Sequence, residues 1–180
     1  FSEGIIKGLG KKAFIVTGKI VTKTGITKKL TDCLDKWNIE YVVYTDIVGE
    51  PTDVMIADGV EKYLEGKCDF LIGIGGGSPL DSVKAIAAMS VLPGKIADYL
   101  GIEIVGKFPP MVLIPTTSGT GSETTKFTII TDSTTDVKML IKGDALLPQV
   151  AIVDPEFSIS APPSITAAIG MDALTHAVEA

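Results

Sequence analysis

The stretch DFLIGIGGGSPLDSVKAIAAMS (69–90) decides the fold, because it joins an apolar strand to a helix through three consecutive glycines. The run after Asp69 carries no polar side chain, which predicts a strand buried on both faces. The segment 78–90 predicts a helix that Ser78 caps, with Pro79 at its first position and Asp81 in its first turn. A buried strand that leads into a helix in this way is typical of an α/β fold with a parallel sheet.

The rest of the chain alternates in the same way between short apolar runs and stretches with helical spacing. The predicted strands are KAFIVTG (12–18), EYVVYTD (40–46), MVLIP (111–115) and VAIVD (150–154). Helices are predicted around 30–37 and over 52–67, where Thr52 is a suitable N-cap, and a hairpin is predicted over 126–132 and 136–142. We therefore predict a mostly parallel α/β sheet with helices on both faces.

The composition of the chain changes after Asp154, where PEFSISAPPSITAAIG (155–170) is rich first in Pro and Ser and then in Ala. We predict an α/β domain over 1–158 and the beginning of an all-helical second domain over 159–180. No Gly, Asn or Pro after Glu179 marks the end of the last helix. We therefore expect the 180 residues to be the N-terminal portion of a longer protein.

Charge and composition exclude several classes of function. The net charge is −6 and no stripe of Lys and Arg is present, which argues against a nucleic-acid partner. The apolar runs are far too short to cross a membrane. Cys33 and Cys68 lack the spacing of a metal or redox motif, so we expect free thiols in the reducing cytoplasm.

The glycine turn is a candidate phosphate site. Gly75, Gly76 and Gly77 would let a pyrophosphate approach the backbone N–H groups at the helix start, and Ser78 adds a hydroxyl. A tight turn that binds nothing would use the same residues, and the local sequence leaves both interpretations open. The turn does not match G-x-G-x-x-G, because Ser78 stands at the last glycine position, and it is no Walker loop.

Two further groups of residues could bind ligands. The loop PTTSGTGSE (115–123) follows the next strand and offers the hydroxyls of Thr116, Thr117 and Thr120 at the sheet edge where α/β proteins bind ligands. Asp172 and His176 are one helical turn apart and could hold one divalent cation. The alternatives are an ordinary polar loop and a solvent-exposed Asp–His pair, and two ligands do not complete a metal site.

Three ordered motifs resemble the iron-dependent (group III) alcohol dehydrogenase family. They are GIGGGSPLDSVKAIA (73–87), IPTTSGTGSE (114–123) and VDPEFSISAPPSITAAIGMDALTHAVEA (153–180), and the resemblance covers almost the whole chain. It implies an N-terminal dinucleotide-binding domain, a C-terminal helical domain and a metal between them. In that family two later histidines complete the metal site, and this chain has no second histidine.

The resemblance also implies roles for particular residues. Asp172 and His176 correspond to the first two metal ligands, with iron favoured over zinc, and Asp81 would lie near the nicotinamide. The remaining cofactor contacts would be Gly75, Gly76, Gly77, Ser78, Thr116, Thr117, Thr120 and Lys138. Lys138 could equally be a solvated lysine of the hairpin.

Gly18 bears on the choice of cofactor. It stands where many NAD-using relatives carry an Asp, which binds the ribose 2′-hydroxyl and repels a 2′-phosphate. Lys19 and Lys23 follow it, whereas Asp46 ends the next strand and could still bind a ribose. We therefore expect NADP(H), with NAD as the alternative.

The resemblance implies reversible hydride transfer between an alcohol and an aldehyde, in a full-length protein that forms a homo-oligomer. One alternative is a glycerol or polyol dehydrogenase of the same superfamily. Another is a nucleotide-binding module without catalysis, which would account for a single histidine. We expect the 180-residue chain alone to be inactive, since its metal ligands are incomplete.

Overall fold

A five-stranded parallel sheet is the centre of the fold. The computed structural model describes residues 2–179, and its sheet has the strand order β2-β1-β3-β4-β7. An antiparallel hairpin, β5–β6, stands beside it. The strands are β1 (Lys12–Thr17), β2 (Glu40–Tyr44), β3 (Phe70–Gly75), β4 (Met111–Pro115), β5 (Phe127–Thr131), β6 (Lys138–Lys142) and β7 (Val150–Ala151).

Helices cover both faces of the sheet. They are α1 (Ser2–Lys7), α2 (Lys19–Lys23), α3 (Ile26–Lys36), α4 (Asp53–Glu65), α5 (Gly77–Met89) and α6 (Pro163–Glu179). Short 3₁₀ turns lie at Ile96–Tyr99, Ser122–Thr124, Asp144–Leu146 and Pro155–Phe157. Among residues 2–179, no helix combines the length and the apolar character needed to cross a bilayer.

The sheet separates two apolar cores, as the pattern of its strands predicts. On one face Leu71 and Phe14 pack with α4 and α5, for example with Leu80. On the other face Ile72 and Ile15 pack with α1 and α3. Every residue of β3 is buried, so its apolar run reflects contact with helices on both faces. The predicted α/β sheet with helices on both faces is therefore confirmed.

The strand order places a crevice between β1 and β3. The chain passes from β1 to β2 on one side and then crosses to β3 on the other, so the connections leave the sheet in opposite directions. Ligands of open α/β sheets bind at such a switch point, outside the carboxyl ends of the strands. Gly18 follows β1 there, and Gly76 follows β3.

The hairpin packs one of its faces on α5. Thr128, Ile130, Met139 and Ile141 are buried, and their neighbours Ile129 and Leu140 are 44% and 50% exposed. This alternation is the two-residue period of a sheet with one covered face. The predicted hairpin is confirmed, and its uncovered face becomes part of the candidate site.

Some local expectations were wrong. Gly76, not Ser78, is the N-cap of α5, because the helix begins at Gly77, and no side chain of the described residues caps it. Val150–Ala151 form only a two-residue strand at the sheet edge, where β7 pairs with β4 alone among the strands of residues 2–179. Thr52 does cap α4, accepting a 3.3 Å hydrogen bond from the Met55 N–H.

The final helix is present, and its relation to a second domain stays a prediction. None of the described α6 side chains is buried within residues 2–179. The boundary that we predict between 158 and 159 falls in the irregular segment before it.

Candidate nucleotide and metal site

The glycine turn forms a backbone cradle at the start of α5. Gly75 has φ +155°, a conformation that side chains disfavour, and a Cβ there would lie 2.8 Å from Pro79. Gly76 has φ −75°, and a Cβ there would meet only Thr117, at 3.6 Å. Gly75 is thus needed for the turn itself, whereas the fold would accept a side chain at Gly76. The N–H groups at a helix start, next to a glycine that carries no side chain, are what a bound phosphate needs.

Two buried hydroxyls at this edge have no hydrogen-bond partner among residues 2–179. They are Thr17 Oγ1, at the end of β1, and Thr117 Oγ1, which lies over Gly76. A buried polar atom without a partner is uncommon in folded proteins. Thr117 Oγ1 is close enough to the cradle to donate to an anion bound there, so the residues present fit a phosphate group.

A cleft of about 360 Å³, here called the site cleft, lies between α5, the hairpin and α6. The predicted site residues on its lining are Gly77, Ser78, Asp81, Thr120, Lys138, Asp172 and His176. Gly75, Gly76, Thr116 and Thr117 lie next to it on the two loops, and Thr116 is only 7% exposed. The structure thus brings most of the predicted residues to one cavity.

Gly18 is not among the residues that line this cleft, and it follows β1 at the switch point. It forms an isolated bridge with Asp46, and the Lys19 ammonium is 3.3 Å from an Asp46 carboxylate oxygen. A Cβ on Gly18 would come no closer than 3.7 Å to another atom, the Ile47 carbonyl oxygen. The position therefore has room for a side chain or for part of a ligand.

Asp81 is engaged inside the protein. Its Oδ1 accepts a 2.5 Å hydrogen bond from Ser122 Oγ, and its Oδ2 accepts a 3.0 Å bond from the Ile129 N–H. Burial raises the pKa of this carboxyl, while both hydrogen bonds and the charge of Lys84 act in the opposite direction. Asp81 therefore joins α5 to the loop and the hairpin that line the cleft.

Lys84 also belongs to the surroundings of the site, although no sequence motif marks it. Its side chain is fully buried, and its Nζ donates to Thr125 O, Thr125 Oγ1 and Phe127 O at 2.9, 3.0 and 2.7 Å. Burial lowers its pKa to about 8, opposed by the charges of Asp81 and Glu123. A lysine among the apolar residues of a predicted helix was the only signal in the sequence.

Lys138 reaches the cleft from β6 and pairs with Glu50, which no sequence motif marks. Its Nζ donates a 2.5 Å hydrogen bond to Glu50 Oε1, and both side chains are 61% exposed. Glu50 belongs to the segment before α4, far from Lys138 in sequence. The pair stands at the rim of the site cleft, where a ligand could reach either charge.

Asp172 and His176 share one face of α6 and point into the site cleft. His176 Nε2 lies 3.7 Å from Asp172 Oδ1, and both side chains are partly exposed. The position of α6 depends on a close contact between Gly119 and the backbone of Ile169, where a Cβ on Gly119 would overlap. Among residues 2–179 no third His, Cys, Asp or Glu joins the pair, so these residues offer two ligands of a metal site.

The model of the family "Iron-containing alcohol dehydrogenase" matches residues 2–155. The chain belongs to this family. Its similarity to the NAD-dependent methanol dehydrogenase of Bacillus methanolicus is 41% identity over 177 residues, which is 97% of this chain and 46% of that protein. The chain therefore spans about half the length of the curated relatives it matches.

Solved structures have the same fold over this length. The crystal structure of a 1,3-propanediol oxidoreductase aligns with a TM-score of 0.94 and 38% identity, covering 98% of this chain and 47% of that one. A sulfoacetaldehyde reductase from Bifidobacterium kashiwanohense, in complex with NAD+, aligns with a TM-score of 0.86 and 35% identity. That alignment covers 98% of this chain and 47% of the reductase chain.

Proposed function

We propose that this chain is the nucleotide-binding part of a metal-dependent alcohol dehydrogenase. The observation that carries the proposal is the site cleft, because the glycine cradle and the Asp172–His176 pair open onto the same cavity. A dinucleotide whose phosphates lie on the cradle could extend its other end toward that pair. The reaction would move a hydride from the carbinol carbon to the nucleotide and release the hydroxyl proton, giving an aldehyde or ketone.

The residues of this chain would bind and orient the reactants. The N–H groups at the start of α5 and the Ser78 and Thr117 hydroxyls would hold the pyrophosphate. The Thr116 and Thr120 side chains would complete this end, and Lys138 would approach the cofactor after leaving Glu50. Asp81 would act near the nicotinamide chiefly by fixing the surrounding loop, since Ser122 and Ile129 already bind both of its oxygens.

Asp172 and His176 would supply two ligands of a divalent metal. A carboxylate with an imidazole suits iron or zinc, and we propose iron, which the family description names. When bound, the nicotinamide supplies the hydride acceptor and the metal a Lewis acid that stabilises an alkoxide. The remaining ligands would come from outside the described residues.

For the nucleotide we propose NADP(H). The support is local: Gly18 places no carboxylate at the end of β1, it leaves room there, and Lys19 lies beside it. NAD is the alternative, because Asp46 stands at the same place. The printed names of two relatives also refer to NAD, one as its cofactor and one as its bound ligand.

Two alternative functions are each supported by a specific observation. A polyol dehydrogenase is one of them, since the site cleft carries several hydroxyl-bearing side chains that could bind a second substrate hydroxyl. A non-catalytic nucleotide-binding module is the other, because the described residues include only two metal ligands. We also propose that the full-length protein is a cytoplasmic homo-oligomer that acts on small alcohols or aldehydes.

The test uses the full-length protein, loaded with iron or with zinc. We expect it to reduce NADP+ in the presence of an alcohol, and a panel of simple alcohols, diols and glycerol would identify the substrate class. His176→Ala should abolish turnover and leave nucleotide binding, measured by calorimetry, unchanged. Nucleotide binding without turnover on any alcohol, in a protein shown to contain metal, would favour the non-catalytic module.

A further inference from the structure

Lys84 is a buried charge with no part in the function proposed above. Taking an ammonium group out of water costs several kcal/mol after relaxation, and an apolar side chain of similar volume often serves stability equally well. The side chain of Lys84 is nevertheless fully buried, in the third turn of a helix whose neighbouring positions are apolar. The hydrogen bonds of Lys84 show which segment of the chain it fixes.

The three acceptors of Lys84 all belong to the chain segment that forms one wall of the site cleft. Two are backbone carbonyls, of Thr125 and Phe127, and the third is the Thr125 hydroxyl. One turn earlier on α5, Asp81 accepts from the Ile129 N–H. Side chains of α5 therefore bind the backbone at 125, 127 and 129, every second residue of this segment.

Because side chains alternate along β5, fixing its backbone also fixes the side chains that line the site cleft. Side chains at every second position point away from the covered face, so Phe127 and Ile129 line the site cleft while Thr128 and Ile130 are buried. Leu140 lies directly opposite Ile129 in the hairpin and extends the same apolar surface. This surface shares the cavity with Asp172 and His176.

We propose that Lys84 is a positioning residue that fixes the apolar wall of the site cleft, formed by Phe127, Ile129 and Leu140, at the reactive end of the bound nucleotide. The proposal rests on the proposed dehydrogenase function. Lys84 touches neither substrate nor cofactor and acts through the carbonyl of Phe127 and the loop at Thr125. The glycine cradle lies at the start of α5, about two helical turns before Lys84, and accepts none of its three hydrogen bonds.

The three acceptors explain why a charged side chain stands at position 84 instead of an apolar one. An ammonium group can donate three hydrogen bonds in different directions, and the Lys84 ammonium uses all three on one loop. An apolar side chain would fill the space but leave the carbonyls of Thr125 and Phe127 without these donors. The wall would then be free to shift along the helix.

The experiment compares Lys84→Met with Lys126→Met in the full-length, metal-loaded protein. Lys126 is exposed on the same hairpin and pairs with Asp144 at 2.8 Å, so the control makes the same chemical change outside the contact. For Lys84→Met we expect kcat/KM for the alcohol to fall by about 100-fold, the loss that a misplacement of reacting groups by about 1 Å can cause. The nucleotide Kd should stay within about threefold of wild type, because the acceptors of Lys84 lie at Thr125 and Phe127 and none of them belongs to the cradle. Lys126→Met should change both values by no more than about threefold.

If Lys84→Met does not fold, a second variant tests whether Lys84 positions the apolar wall. Thr125→Val removes one of the three hydrogen bonds and keeps the carbonyl, so alcohol kcat/KM should fall by about fivefold with an unchanged nucleotide Kd. Equal losses in both values, or no loss in either, would overturn the proposal. A wild-type protein that binds nucleotide without oxidising any alcohol would instead overturn the proposed function.

Discussion

The Thr116 N–H donates a 2.8 Å hydrogen bond to the carbonyl oxygen of Gly75. This bond joins the two loops that follow β3 and β4, which pair in parallel up to Gly75 and Pro115. The loop that carries Thr117 is thereby held over the glycine turn. A phosphate at this place would meet a surface that is already formed before it binds.

Gly76→Val tests the phosphate cradle. The variant should fold, because Gly76 has an ordinary φ and a Cβ there would make only ordinary contacts with Thr117. Its side chain would occupy the space over the helix N-terminus and remove several charge-assisted hydrogen bonds. We expect the nucleotide Kd, measured by calorimetry, to rise by at least about 100-fold.

Two matched variants complete this test. Gly4→Val makes the same change in open space on α1 and should leave the nucleotide Kd unaltered. Gly75→Ala should instead lower the melting temperature, since φ there is +155° and Pro79 lies in the way. A folded Gly76→Val protein with wild-type affinity would mean that the loop is only a turn.

Gly18→Asp tests the choice of cofactor. A Cβ has room at this position, and the new carboxylate would repel a 2′-phosphate while accepting hydrogen bonds from a ribose. We expect the ratio of kcat/KM for NADP+ to that for NAD+ to fall by about tenfold or more. Gly18→Asn keeps the size without the charge and should move the ratio less. A full-length protein that already prefers NAD+ would contradict the proposal.

Metal binding should require more than this chain. Asp172 and His176 are two ligands, and zinc or iron sites with open positions use three protein ligands. We expect the purified 180-residue chain to retain no stoichiometric iron or zinc after dialysis, measured by elemental analysis. In the full-length protein, Asp172→Asn should lower the metal content. A firmly bound equivalent of metal on the monomeric 180-residue chain would show that the ligand set is wrong.

Lys84 should make stability depend on pH in a definite direction. Burial lowers its folded-state pKa from 10.5 to about 8, so between these values the unfolded chain holds a proton that the folded chain has lost. The contribution of Lys84 to the free energy of unfolding therefore rises with pH across this window and is lost as pH falls through 8. The full difference is about 3 kcal/mol at most.

Comparison with Lys84→Met isolates this contribution. Cys68 and Tyr63, whose pKa values burial raises to about 11 and about 12, titrate in both proteins and cancel. Denaturant unfolding at several pH values should show the difference, wild type minus variant, increasing from pH 8 to 10.5. A difference that stays flat or decreases would mean that Lys84 is charged throughout.

The two cysteines should differ in reactivity. Cys68 is 8% exposed, and burial raises its thiol pKa to about 11, so little thiolate is present near neutral pH. Cys33 is only half-buried. We expect iodoacetamide to label Cys33 in the folded protein and to reach Cys68 only in denaturant, as measured by peptide mass spectrometry. Comparable rates at both sites in the native protein would contradict this.

The sequence could predict the sheet because its central strands, β3 and β4, are apolar throughout. The runs at 70–75 and 111–115 have few alternatives to a buried parallel strand, and glycine follows the first of them. The cap of α5 could not be predicted, since Ser78 and Gly76 both suit a helix start and only the backbone path decides between them. β7 ends early for a similar reason: its length depends on pairing with β4.

Only some residues of the candidate site could be predicted from the sequence. Residues that carry a recognisable motif, such as Gly76 or His176, could be found from the sequence, and their meeting in one cleft follows from the strand order. Glu50 and Lys84 could not be found, because their importance lies in partners 88 and 41–43 residues away. Only the folded structure brings these partners within hydrogen-bond distance.

The exposed surface of α6 has a consequence for how the site is assembled. α5 contains nine buried residues, whereas α6 has none among its described side chains. Amide protons in the 180-residue chain should therefore exchange with solvent quickly along α6 and slowly along α5 and β3. In the 180-residue chain, the half of the site that binds phosphate would therefore be ordered on its own, whereas the half that bears Asp172 and His176 would become ordered only when other residues cover α6.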